Sequence, residues 1–185
     1  IVVKGASCPI YFLVWDRLRT GDPGKKVGTI KNVHMQDVTI TDCAGGIATQ
    51  PSVISGWATS QFENIMLENV KIIYKGGGTN ALADLFPPNP RDYSPRSFGP
   101  RPASAFYIRN GKGLTLKNVE FGFENSDARI PLFIDNVDGV ALDNFKTQKS
   151  SAGRTIRLEH VKNFTVENSP DLKDRRSVTM ANDVE

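Results

Sequence analysis

Cysteine and histidine are scarce: 185 residues hold only Cys8, Cys43, His34 and His160. Two cysteines cannot build a disulfide framework or a four-ligand zinc site, and the histidines stand at no metal-ligand spacing. A single Cys8–Cys43 bridge and two buried thiols both stay open. No metal or cofactor is expected. Long apolar runs are missing too: the longest is Ile10 to Trp15, against the roughly 20 residues of a membrane-spanning helix. Net charge is only +3, from 23 basic and 20 acidic residues scattered along the chain, which gives no footprint for nucleic acid. Neither membrane nor nucleic acid is expected as a partner. A basic segment followed by an apolar one, the mark of a signal peptide, is also lacking. With 39% hydrophobic and 23% charged residues, the chain can build a packed core and is neither collagen-like nor a coiled coil.

What the sequence does have is a repeat. Asn32-Val33-His34-Met35-Gln36-Asp37-Val38-Thr39-Ile40 aligns with Asn64 to Ile72 and with Gly113 to Phe121. It returns as Gly139 to Thr147 and, decaying, as Asn163 to Ser169. Apolar and polar residues alternate in each copy, as in Val33/Met35 or Leu114/Leu116, which is the two-residue period of a strand with one buried face. The first position is Asn or Gly in all five copies and reads as a left-handed corner. The sixth is Asp37, Asn69, Asn118, Asn144 and Asn168, an Asx column expected to bond the backbone of bends.

A second strand precedes the later copies at constant offset: Phe106-Tyr107-Ile108-Arg109, Leu132-Phe133-Ile134-Asp135 and Ile156-Arg157-Leu158-Glu159. Leu114 to Val140 is 26 residues and Val140 to Phe164 is 24. A strand–bend–strand–bend unit of that period, with no helical stretch and no leucine-rich register, predicts an all-β, right-handed parallel β-helix. An antiparallel sandwich is the alternative. Residues 1–172 read as its coils, with insertions at 16–28 and 76–102, and residues 173–185 as a tail or cap. Six of the 11 prolines fall in the larger insertion, so neither helix nor interior strand is expected there. Ile1-Val2-Val3 opens without a cap for the solenoid's apolar end, so the chain is read as the C-terminal portion of a longer solenoid, whose N-terminal part would be its partner.

Ser52-Val53-Ile54-Ser55-Gly56, Phe62-Glu63-Asn64-Ile65, Tyr74-Lys75-Gly76-Gly77-Gly78, Phe106 to Val119 and Asp127-Ala128-Arg129 together resemble the C-terminal half of bacterial polygalacturonase-like proteins of glycoside hydrolase family 28. The resemblance covers residues 9–172. It implies inverting hydrolysis of pectin-type, galacturonate-containing polysaccharides by paired carboxylates, and a secreted or periplasmic location. The family's Asp-Asp, Gly-His-Gly and Arg-x-Lys motifs are absent, and Asn125-Ser126-Asp127 is read as a turn. No catalytic residue is therefore assigned; the resemblance places those carboxylates upstream.

An anionic glycan calls for arginine forks and aromatic faces. Arg17, Arg19, Arg91, Tyr93 and Arg96, on the two insertions, are the candidate substrate-binding residues. Trp15 and Trp57 suit loop anchoring better than sugar stacking, His34 and His160 are read as surface histidines, and Phe121, Phe123, Phe133, Phe145 and Phe164 as core. Two other readings share the fold: a polysaccharide lyase, which would need an acidic calcium cluster, and a noncatalytic glycan-binding β-helix.

Overall fold

The computed structural model describes residues 1–16, 26–43, 50–86, 90 and 92–184, with side chains through residue 177. The repeat folds as anticipated into strands, and the strands stack parallel. β1 (Val2–Lys4), β2 (Tyr11–Leu13), β3 (Lys31–Cys43), β4 (Ser52–Ser55) and β5 (Phe62–Gly76) are followed by the long β6 (Ala103–Asn125). Then come β7 (Ile130–Asp143), β8 (Lys146–Thr147), β9 (Ile156–Glu167) and β10 (Arg175–Val184). The main path runs β1-β3-β5-β6-β7-β9-β10, with β2 joined to β4 and β4 to β6. Every pairing between these strands is parallel except β10 on β9, which is antiparallel and places the tail against the last parallel row.

Register follows the repeat without slippage. Val33 pairs with Ile65, Ile65 with Leu114, Leu114 with Val140 and Val140 with Phe164; Met35, Leu67, Leu116, Leu142 and Val166 form the column two residues on. Neighbouring strands in such a ladder lie about 4.8 Å apart. Because side chains alternate with period two, a one-residue slip would turn every apolar column to solvent.

The strands turn corners without leaving the ladder. In β6 the corners are Asn110 (φ 55), Gly113 (φ 70) and Asn118 (φ 52); in β7 they are Asn136 (φ 53) and Gly139 (φ 81), with Asn144 (φ 51) just beyond; in β9 they are His160 (φ 52) and Asn163 (φ 51), with Asn168 (φ 55) beyond. Asn and Gly tolerate this left-handed region at the least steric cost. The first repeat position thus carries the expected left-handed conformation, the sixth shares it, and a third corner column, Asn110, Asn136 and His160, adds to them. Between corners, Phe106, Ile108, Leu114, Leu116, Val119 and Phe121 of the one strand β6 all reach a single apolar cluster. The chain therefore wraps that core.

Two expectations need correction, and a third, Phe133 as core, holds in a second cluster. The Asx column does not bond bend backbones: Asn69 Nδ2 donates to Asp37 Oδ1 (2.9 Å), Asn118 to Asn69 (3.0 Å) and Asn144 to Asn118 (2.8 Å), a side-chain ladder along the outside. In-register stacking brings each amide above the last, so the corner satisfies itself sideways. Phe133 leaves the main core and joins a second cluster with Val53, Phe98, Ala103, Tyr107 and Ile130. The proline-rich insertion contains short helical turns, α1 (Asn80–Ala83) and a 3-10 turn (Pro95–Phe98) with Pro95 in its first turn, where a missing N–H costs nothing. Cys8 and Cys43 are separate thiols.

The cost of altering the outer column should come from the backbone. Asn144→Leu places a bulky side chain at φ 51 and should lose about 1–2 kcal/mol, or roughly 2–8 °C of thermal midpoint. Asn144→Gly, which loses the same amide but relieves the corner, should stay within about 0.5 kcal/mol. Calorimetry on both variants separates corner strain from an unsatisfied polar group, which would penalise the two alike.

Candidate functional site

Along β2, β4, β6, β7 and β9, the residues facing away from the main core form two columns by register alone. One is Tyr11, Val53, Tyr107, Phe133 and Arg157; the other is Leu13, Ser55, Arg109, Asp135 and Glu159. The first is covered by residues 77–86 and 92–102, between β5 and β6, which lie down on the sheet as a strap. Phe98 stands edge-on to both Tyr11 and Tyr107, with ring centroids 6.3 Å apart in each case. Phe86 meets Phe133 at 6.1 Å, and Arg157 lies 4.7 Å over the Phe133 ring while its Nη1 donates to Ala83 O. Tyr107 is fully buried here.

The strap is held at its root by a buried ion pair. Arg129 Nε and Nη2 donate to Asp127 Oδ1 (3.0 Å) and Oδ2 (2.8 Å), and Gly78 N donates to Asp127 Oδ2 (2.8 Å). Both side chains are at most 1% exposed. Gly78 is glycine for want of room: a Cβ there would sit 2.1 Å from Arg129 Nε. The Gly-Gly-Gly exit and the Asp-Ala-Arg turn, 49 residues apart, are thus the two halves of one clamp.

Two features on this face could meet a ligand. At the β2 end, Tyr11, Phe12, Leu13, Trp15, Ile30 and Tyr93 line an open groove of about 500 Å³. Trp15 and Tyr93 rings lie 6.4 Å apart at 57°, and Tyr93 is 65% exposed. Aromatic faces of this kind offer large, rigid contact area to a flat apolar surface. The second feature lies on β7 and β9. Asp135 and Glu159 are register partners, His160 Nδ1 lies 3.0 Å from Asp135 Oδ1, and Arg157 pairs with Glu159 through Nε (2.7 Å) and Nη2. Asp135, Glu159 and His160 could bring three ligand atoms within 4.8 Å of one another. Arg157 already neutralises Glu159, which opposes a divalent cation electrostatically. His160 occupies a corner where the preceding rows carry Asn110 and Asn136, and it turns to Asp135 instead of extending their ladder.

Of the sequence candidates, Tyr93 reaches the aromatic groove together with Trp15. Arg96 is exposed on the 3-10 turn, its N–H donating to Ser94 Oγ. Arg17, Arg19 and Arg91 lie outside the described residues. Sequence reading did not find the Asp135–Glu159–His160 group. The signal was positional: Arg109, Asp135 and Glu159 each close one of the aligned tetrads. Arg101, fully buried beneath the strap, was also missed. Comparison of the chain with protein families, with curated proteins and with solved structures finds no match.

Breaking the clamp should release the strap. Asp127→Ala leaves Arg129 buried without its carboxylate and should cost about 3–5 kcal/mol, with early proteolysis between residues 79 and 102. A thermal midpoint within 2 °C or so of the wild type would contradict this role.

Proposed function

We propose that the chain is a portion of a right-handed parallel β-helix that acts in the handling of pectin-type, uronate-containing polysaccharides, as part of a glycoside hydrolase. Support for the β-helix comes from the in-register parallel rows, the left-handed corners and the wrapping of one strand around one core. In this reading the protein is secreted or periplasmic, and a further row of solenoid covers the partly exposed apolar rim of Ile1, Val2, Phe12, Val33 and Met35. The catalytic carboxylates belong to residues outside this chain, as expected from the missing motifs. These 185 residues supply a glycan-binding wall.

The observation that carries the reading is the groove at Tyr11, Trp15 and Tyr93, bounded on one side by the proline-rich strap. Exposed aromatic faces suit sugar rings, whose C–H faces are apolar while their hydroxyls stay in water. The strap lies on the sheet, so the ligand surface is its edge, where Tyr93 projects.

Calorimetric titration with trigalacturonate tests the proposal. Binding should weaken about tenfold or more in Trp15→Ala and in Tyr93→Ala, and the chain alone should not hydrolyse the sugar. Absence of binding, or wild-type affinity in both variants, would overturn the glycan assignment. Hydrolysis by the isolated chain would refute the placement of the catalytic groups.

A further inference from the structure

Two arginines enter neighbouring rows beneath the strap. Ala103 pairs with Ile130, so Arg101 stands two residues, and Arg129 one residue, ahead of a paired position. Arg129 Nη1 donates to Arg101 O (3.4 Å), and both side chains are at most 1% exposed. Their electrostatic settings differ. Two residues before Arg129 is Asp127, which accepts from its guanidinium in bidentate fashion. Two residues before Arg101 is Gly99. Arg101 donates from Nη2 to Pro95 O and stacks 5.5 Å from the Phe98 centroid, while its Nε and Nη1 have no acceptor.

Among the described residues, the titratable groups set against Arg101 do not supply the missing charge. Cys8, Tyr11 and Tyr107 face it, but burial pushes the Cys8 thiol up to about 11 and the two phenols up to about 12, so all three are neutral at ordinary pH. Arg129 adds like charge. Asp92 acts electrostatically on Tyr11 but is not among the groups acting on Arg101, and its Oδ1 accepts from Ser94 N. Burial disfavours the charged guanidinium, yet arginine does not deprotonate in proteins. A buried cation without a counter-charge is costly, and water can satisfy its N–H groups without offsetting the charge.

We propose that Arg101 is the cationic half of a carboxylate-binding site, in which a small carboxylate anion takes the place that Asp127 takes beside Arg129. The ligand is either a free monocarboxylate or the carboxylate arm of an acidic sugar, both recognised through a charge-assisted hydrogen bond. Tyr11 belongs to both settings: it lines the aromatic groove and lies among the neighbours of Arg101. Local opening of the strap admits the anion, since Arg101 has no exposed surface. The proposal stands on the unpaired buried cation and does not require the glycan reading.

The test uses the whole chain, with sodium acetate and trigalacturonate titrated separately against sodium chloride at constant ionic strength. The Nε–H resonance of Arg101, assigned through its own side-chain carbons, should move saturably with acetate, and the thermal midpoint should rise by about 3–5 °C at roughly tenfold excess over Kd. Movement with acetate alone identifies a free carboxylate as the ligand, and movement with both identifies the sugar arm as well. Arg101→Lys should lose the response. Trp15→Ala should keep the acetate response, so failure of groove binding and failure of this site are read separately. An Arg101 resonance unmoved in both arms would overturn the proposal, and an equal saturable response to chloride would overturn the carboxylate assignment.

Discussion

A left-handed residue at fixed places in each repeat turns the strand through a corner while its hydrogen-bond ladder to the next row continues, and the rest of the molecule is placed by that turn. Asn69, Asn118 and Asn144 show how the strain is met. Each accepts φ near 50° at low cost for its residue type, and each donates from Nδ2 to the Oδ1 of the Asp or Asn in the row before it. The corner is thus also a vertical contact between rows. Because several corners punctuate one strand, alternate residues on either side of a corner converge on the same interior, and β6 alone feeds seven buried apolar side chains into it.

The outward face inherits its order from the same register. Once Phe106, Leu132 and Ile156 are stacked inward, Tyr107, Phe133 and Arg157 must stack outward, and so must Arg109, Asp135 and Glu159. An outward aromatic column is an apolar surface that water does not favour, and the strap covers it. Phe98 is almost fully buried there, which is worth about 1.5–3 kcal/mol of transfer free energy. Covering the column puts polar groups under the strap as well. Arg129 is matched by Asp127; Arg101 is not, and this imbalance is the clearest chemical feature of the interior.

Periodicity made much of the fold legible in the sequence. The columns headed by Val33 and Met35, the left-handed first position and the turn at Asp127 were all readable, because alternation and Asn/Gly placement are local signals. Vertical effects were less readable. The bonding of the Asx column depends on what lies one row above, and Phe133 belongs to a second core because of a strap that is distant in sequence. The Asp135–Glu159–His160 group was written in aligned tetrads but carries no contiguous motif, so a search for adjacent acidic residues passes over it. For Tyr93 the useful signal was its place on an insertion that interrupts the regular stack. Nothing local marks Arg101 as buried; that follows from how the strap folds back.

Row-to-row register in solution is the most direct measure of this account. In an isotope-labelled chain, backbone proton contacts should connect Leu67 with Leu116, Leu116 with Leu142 and Leu142 with Val166, in parallel sense and without displacement. Antiparallel contacts at any of these junctions, or a shift by one residue, would contradict it, since either would turn the apolar columns outward and leave the corners without their vertical partners.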